Sequence, residues 1–253
     1  MSIPLRRKGE IQKIQTAANA VAKTLEYLNK NVKAGMSLLE VDKLGEDFLL
    51  SLDARPAFKG LYGFPNAICT SLNEVIIHGL PDKTILKEGD ILGVDIGSEI
   101  AGWYGDAAIT MPIGKISKED EALIACSKDA LYFAIDIIKE GMRFKELSYE
   151  IEKFIVNRGY QPLINFCGHG IGKTPHAEPE IPNYISSKAN IKSGPKIKNG
   201  MVFCLEPMIC AKEREPVILD DKWSVVSKDG LRGSHYEHEL AVIDGKARIL
   251  SKV

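Results

Sequence analysis

The chain has 253 residues, enough for one large domain or two moderate ones with a substantial core. Its 33 Lys+Arg stand against 34 Asp+Glu, and this near-neutral balance gives no electrostatic case for nucleic acid or an anionic membrane as partner. No apolar run approaches the roughly 18–20 residues that span a bilayer, and the start, Met1-Ser-Ile-Pro-Leu-Arg-Arg7, lacks a signal-peptide core, so the expected location is cytoplasmic.

In chain order, Arg6-Arg7-Lys8 reads as a solvated helix start. Ile11, Ile14, Ala18, Val21, Leu25 and Leu28 recur at spacings of three and four and predict an amphipathic helix. Gly35 fits a helix-ending position, and Ser37-Leu-Leu-Glu40 has the form of a capping box opening a second helix. Apolar runs at Ile91–Ile96 and Trp103–Met111 predict strands. Ser117-Lys-Glu-Asp120 caps a helix through Ile138, ending near Gly141, and a further helix runs from about Phe144 to Asn157, stopped by Gly159. Runs at Leu163–Cys167 and Val202–Ile209 predict more strands, and the Gly and Pro punctuation points to an antiparallel sheet. The five cysteines, Cys69, Cys126, Cys167, Cys204 and Cys210, form no C-x-x-C pair and read as reduced, mostly buried thiols.

The chain also repeats itself. Val32-Lys-Ala-Gly35-Met36 returns as Ile138-Lys-Glu-Gly141-Met142, and Lys87-Glu-Gly89-Asp-Ile-Leu-Gly-Val-Asp95 returns as Lys198-Asn-Gly200-Met-Val-Phe-Cys-Leu-Glu206. Two matches in the same order predict one catalytic domain over residues 1–253, built by duplication of segments near 8–112 and 117–250. Halves related by a pseudo-twofold would bring the equivalent Asp95 and Glu206 together at the axis.

Asp95, Asp106, His169 and Glu206 sit at the ends of short apolar runs. The segment Ser234-His-Tyr-Glu237-His-Glu239-Leu240 adds two glutamates that alternation puts on one strand face without choosing between them. A single carboxylate is more often a solvated surface charge than a ligand, so the reading rests on their recurrence. Such a set is too small for two closed cages but suits two metal ions sharing bridging carboxylates, with positions left for water. Gly168-His-Gly-Ile-Gly172-Lys-Thr174 resembles a phosphate loop, but only three residues separate Gly168 from Gly172 where that loop needs four. Those glycines are instead expected to bend the backbone and carry His169 inward. His78 and His176 lie beside similar Gly and Pro turns, and neutral imidazole suits Zn, Fe, Co or Mn.

Taken together, five segments resemble the methionine aminopeptidase family over nearly the whole chain. They are Asn73-Glu-Val-Ile-Ile-His78-Gly-Leu-Pro81; Gly89-Asp90 with Asp95 and Gly105-Asp106; Gly168-His169-Gly-Ile-Gly172 with His176-Ala-Glu-Pro179; Gly200-Met-Val-Phe-Cys-Leu-Glu206-Pro207; and Tyr236-Glu237-His238. The resemblance is to the type I branch, because the interval from Glu206 to Glu237 leaves no room for a helical insertion. It implies an α+β pita-bread (creatinase/aminopeptidase) fold, with two pseudo-twofold halves, a curved antiparallel sheet and outer helices. It implies two divalent ions per chain (Co, Mn, Fe or Zn), bridged by Asp106 and Glu237. Asp95 would complete one ion's set, and His169 with Glu206 the other's.

The same resemblance makes Glu206 a general base, His176 a donor to the scissile carbonyl oxygen and His78 a contact to the peptide nitrogen. It assigns Phe58, Leu61, Phe64, Cys69 and Trp223 to a methionine pocket, while Pro175 stands where type I enzymes often carry an aromatic residue. The implied reaction is attack of metal-activated water on the first peptide bond, removing an initiator methionine before a small second residue. The partners implied are N-termini of nascent polypeptides, with room for transient ribosome association, and the expected state is a monomer. The chain's own Met1-Ser2 fits the substrate rule. A prolidase-like enzyme, which usually carries an added amino-terminal domain, and a metal-free binding module, which would have lost ligands, are the competing classes.

Overall fold

The computed structural model describes residues 3–186 and 188–252. Met1-Ser2, on which the self-processing expectation rests, lies outside the described residues. Among the described residues there are four α-helices: α1 Lys8–Asn31, α2 Leu38–Ser51, α3 Lys118–Ile137 and α4 Phe144–Val156. The apolar stripe of α1 is buried at Ile14, Ala18, Val21, Leu25 and Leu28. Ser37 accepts from the Glu40 amide while the Glu40 carboxylate takes the Ser37 amide, a capping box. Ser117 caps α3 by accepting from the Asp120 amide, without the reciprocal backbone bond. Gly35 does not end α1. The cap is Val32, whose amide reaches Leu28 O, and Gly35 lies in the turn beyond with φ +94°.

A nine-stranded antiparallel sheet forms the centre. The hairpin of Ile91–Ile100 and Trp103–Pro112 meets the strand Glu237–Ile243, followed outward by Val202–Leu205, Cys167–Gly170 and Ala177–Pro182. Arg55–Pro56 and Cys69–Leu72 share the far edge of Ile91–Ile100, and Lys246–Ile249 pairs with Glu237–Ile243. One apolar cluster joins α1 and α2 to Leu92, Val94 and Ile96, and another joins α3 and α4 to Phe203, Leu205, Leu240 and Val242. Helix α1 lies flush on the hairpin: Ser98 Oγ donates to Ala17 O, and a Cβ at Gly105 would fall 2.4 Å from Ala18 N.

Backbone bonds recur at matched places in the two halves. Gly35 and Gly141 amides donate to Leu86 and Ile197 carbonyls, and Leu86 and Ile197 amides return to Met36 and Met142. Gly89 and Gly200 amides reach Ile113 and Val242, whose own amides return to Asp90 and Met201.

Two strand expectations are corrected. The run Val202–Ile209 breaks at Glu206-Pro207, and Met208–Cys210 joins a separate three-stranded sheet with Gly233–His235 and Gln161–Pro162. Proline has no amide for the ladder, so the chain leaves the sheet there. For the same sheet-switching reason Leu163–Phe166 is not strand, and pairing resumes only at Cys167. Among the described residues no helix is long and apolar enough to cross a membrane. All five cysteines are free thiols.

Candidate metal centre and adjoining cleft

Strand register gathers the carboxylates. Asp95 lies opposite Ala108, and Ala108 lies opposite Glu237, so the three share one rung across adjacent strands. Asp106 is two residues before Ala108 and points to the same face by the period-two rule, and Cys69 faces Asp95 from the next strand. The ladder between the hairpin and Glu237–Ile243 stops at His238↔Ala107. Beyond it the Glu239 carboxylate accepts the Asp106 amide at 3.2 Å and replaces the missing strand partner. That geometry separates the two glutamates left open by alternation: Glu237 lines the cleft and Glu239 does not.

His169 enters from the other side. Its Nε2 lies 3.5 Å from Glu206 Oε1 and 3.9 Å from Asp106 Oδ2. The flanking glycines work differently from the expected bend. Gly168 and Gly170 have no positive φ, but a Cβ on them would meet Cys204 O at 2.5 Å and Glu178 O at 2.1 Å. They let neighbouring backbone approach, and the strand itself holds His169 in place. Glu206 follows the strand end, where its carbonyl accepts from Asn183 Nδ2 at 2.8 Å.

All ten predicted site residues other than the already placed Asp95 and Glu237 also line the same cleft of about 510 Å³: Asp106, His169, Glu206, His78, His176, Phe58, Leu61, Phe64, Cys69 and Trp223. Phe58, Phe64 and Cys69 form a buried apolar cluster with Leu61, Leu80 and Trp223 packed on it, and Phe64 meets Trp223 edge-to-face at 5.1 Å. A Cβ at Gly97, opposite Asp106, would lie 2.5 Å from the Phe58 ring, so the apolar wall abuts the carboxylates directly. His176 packs edge-on against His169 at 4.4 Å, and His78 against Phe166 at 5.7 Å.

Sequence reasoning missed several groups. Pro175 is not part of the cleft lining; the exposed Tyr62 stacks on His176 at 5.9 Å and lines that side. Cys204 and His235 fall within metal-holding reach: ligand atoms of Asp106, His169, Cys204 and Glu237 lie within 4.8 Å of one another, as do those of Glu206, His235 and Glu237. Cys204 and His235 each lie two residues before a named glutamate, inside segments the sequence singles out, but only the pairing of those segments shows that they reach the other donors.

The electrostatics suit a cation. Asp95 Oδ1, Asp106 Oδ1, Glu237 Oε1 and Glu239 Oε1 are buried without hydrogen-bond partners. Burial pushes the Asp95 carboxyl up to about 7. Burial first, then neighbouring carboxylates, raises Asp106, Glu206 and Glu237 well above the ordinary range, and burial raises Glu239. Buried imidazoles are pushed the other way, His169 and His235 to about 3 and His78 to about 4. Packed acceptors beside neutral imidazoles are the donor set of a divalent ion, and the residues present fit one.

The same shifts fix a pH dependence for the metal-free chain. Carboxyls with raised folded values hold protons that the unfolded chain has released, so their contribution falls as pH rises through the folded values. The imidazoles, lowered from 6.5, contribute in the opposite sense, but that gain is complete above 6.5. With chelator present, the melting temperature is therefore expected to fall as pH rises above 6.5, and added divalent ion should restore more at the higher pH. A flat or rising profile without metal would contradict the crowded-carboxylate account.

Fold and site together define a metal-dependent peptidase of the pita-bread type. The family model "Metallopeptidase family M24" matches residues 12–244. A methionine aminopeptidase of Helicobacter pylori is 57% identical over 252 residues, covering 100% of both chains. The crystal structure of a methionine aminopeptidase from Thermotoga maritima superposes with a TM-score of 0.95 at 34% identity, covering 100% of each chain. A prolidase from Pyrococcus furiosus shares the fold at a TM-score of 0.79 and 22% identity, with only 65% of its chain covered. The chain belongs to metallopeptidase family M24 and, within it, to the methionine aminopeptidases.

Proposed function

We propose that this protein removes N-terminal methionine from nascent polypeptides in the cytoplasm, as a monomer, when the second residue is small. The observation that carries the reading is the contact between unpartnered buried carboxylates and the apolar wall of Phe58, Phe64 and Cys69. Asp95, Asp106, His169, Glu206 and Glu237 would hold two divalent ions, Co, Mn, Fe or Zn, with Asp106 and Glu237 shared between them. Such ions supply an acidified water and polarise the scissile carbonyl. Glu206 would accept the proton of the attacking water, and His176, whose basicity burial lowers, would donate to the carbonyl oxygen as charge builds there. His78 contacts the peptide nitrogen. Phe58, Leu61, Phe64, Cys69 and Trp223 exclude water around the methionine side chain. The paired backbone bonds around Gly35 and Gly141, and around Gly89 and Gly200, support a single catalytic domain made by duplication, with donors contributed from both copies.

The test is a metal-dependent assay on Met-Ala-Ser against Ala-Pro peptides after chelation and reloading. Release of methionine from the first, lost on chelation, is expected. Cleavage ahead of proline with no demand for methionine would move the chain to the prolidase-like class. Because an apolar pocket discriminates a methylene-sized change by only about 1–3 kcal/mol, norleucine at position one should be partly accepted. Met-Ala should be cleaved well and Met-Lys poorly, and equal rates for that pair would overturn the second-residue rule.

A further inference from the structure

We propose that His235 is a further metal ligand, a second imidazole on the ion that Glu206 and Glu237 share; this rests on the metal set proposed above. His235 is 3% exposed, lies outside the cleft lining and approaches the carboxylates from the protein interior. Its backbone is clamped on both sides by one hydroxyl, with the His235 amide donating to Thr110 Oγ1 at 3.0 Å and Thr110 Oγ1 donating to His235 O at 2.9 Å. The strand Gly233–His235 is further fixed by pairing with Met208–Cys210, two residues beyond Glu206. The ring therefore has a set position.

Its Nε2 has no hydrogen-bond partner. A histidine that merely fills a core usually has its ring nitrogens satisfied. The atoms nearest in the required sense are Glu206 Oε2 at 3.9 Å and Glu237 Oε2 at 3.8 Å. Those separations are too long for hydrogen bonds. They match two donors that share one ion, since atoms each about 2.1 Å from a common metal stand roughly 3–4 Å apart. His169 makes the corresponding approach to Glu206 Oε1 at 3.5 Å. Glu206 thus presents one oxygen toward each imidazole, with Glu237 beside the second. Two imidazoles on one ion soften a site otherwise made of carboxylates and favour Fe, Co or Zn over Mn.

The experiment loads the chelated, full-length chain carrying isotopically labelled histidines with cadmium ion and reads metal-to-nitrogen coupling by nuclear magnetic resonance. Two coupled imidazoles are expected in the wild type, falling to one in His235→Gln and to a different one in His169→Ala. Cadmium and cobalt affinities measured by titration calorimetry should weaken about 10–100-fold in His235→Gln. One coupled imidazole in the wild type, unchanged in His235→Gln, would overturn the proposal and leave His235 outside the ligand set. If His235→Gln fails to fold, the wild-type count of two or one still decides. No coupled imidazole at all, or no tight ion, would instead remove the metal set itself, including His169, which keeps the two failures distinct.

Discussion

Glu206→Gln is expected to lower kcat by roughly 10²–10⁴-fold, with part of the ion occupancy recoverable at high metal concentration. Glutamine keeps the shape of the side chain, and the Asn183 bond to the Glu206 carbonyl is untouched. What disappears is a negative charge and the only proton acceptor assigned to the water. The carboxylate is buried, and desolvation first, then Asp95 and Asp106, raise its basicity. Single-turnover kinetics alongside metal analysis separates the two losses. Near-normal turnover at full metal occupancy would remove Glu206 from the role of base.

His176→Ala is expected to reduce kcat about 10²–10³-fold while metal content stays unchanged. Among the described residues, His169 and His235 have carboxylate oxygens within 4.0 Å of a ring nitrogen, and His176 has none. It faces the cleft from between Tyr62 and His169, the place of a group that meets substrate. KM should change little, because the interaction strengthens only as the carbonyl oxygen gains charge. A collapse of metal content in the variant would instead make His176 a ligand and undo the division of labour among the histidines.

Helices were legible because their signals are local. The α1 stripe and the Ser37 and Ser117 caps each lie within a few residues, and the structure reproduces them. Strand identity was less legible, because a continuous apolar run does not say which sheet it joins. Val202–Ile209 reads as one strand, yet Pro207 forces it into two sheets. The glycines around His169 were assigned to a bend because sequence shows their flexibility and hides the carbonyls that press on them. Within the site, residues carried by patterned segments were found. Cys204 and His235 lie in such segments too, but their approach to the other donors follows only from pairing, and that of Tyr62 to His176 from stacking, between segments far apart in the chain. Choosing Glu237 over Glu239 needed the register that ends at His238↔Ala107.

The register that joins Asp95, Ala108 and Glu237 across one rung also sets when an ion can be gripped. The Ile91–Ile100 and Trp103–Pro112 hairpin forms from near neighbours and brings only two aspartates. Every other donor arrives through closure between distant segments, which is slow to form because of its loop entropy. An ion therefore finds its full set only once those distant segments have closed, and a bound ion would act as a latch against their reopening.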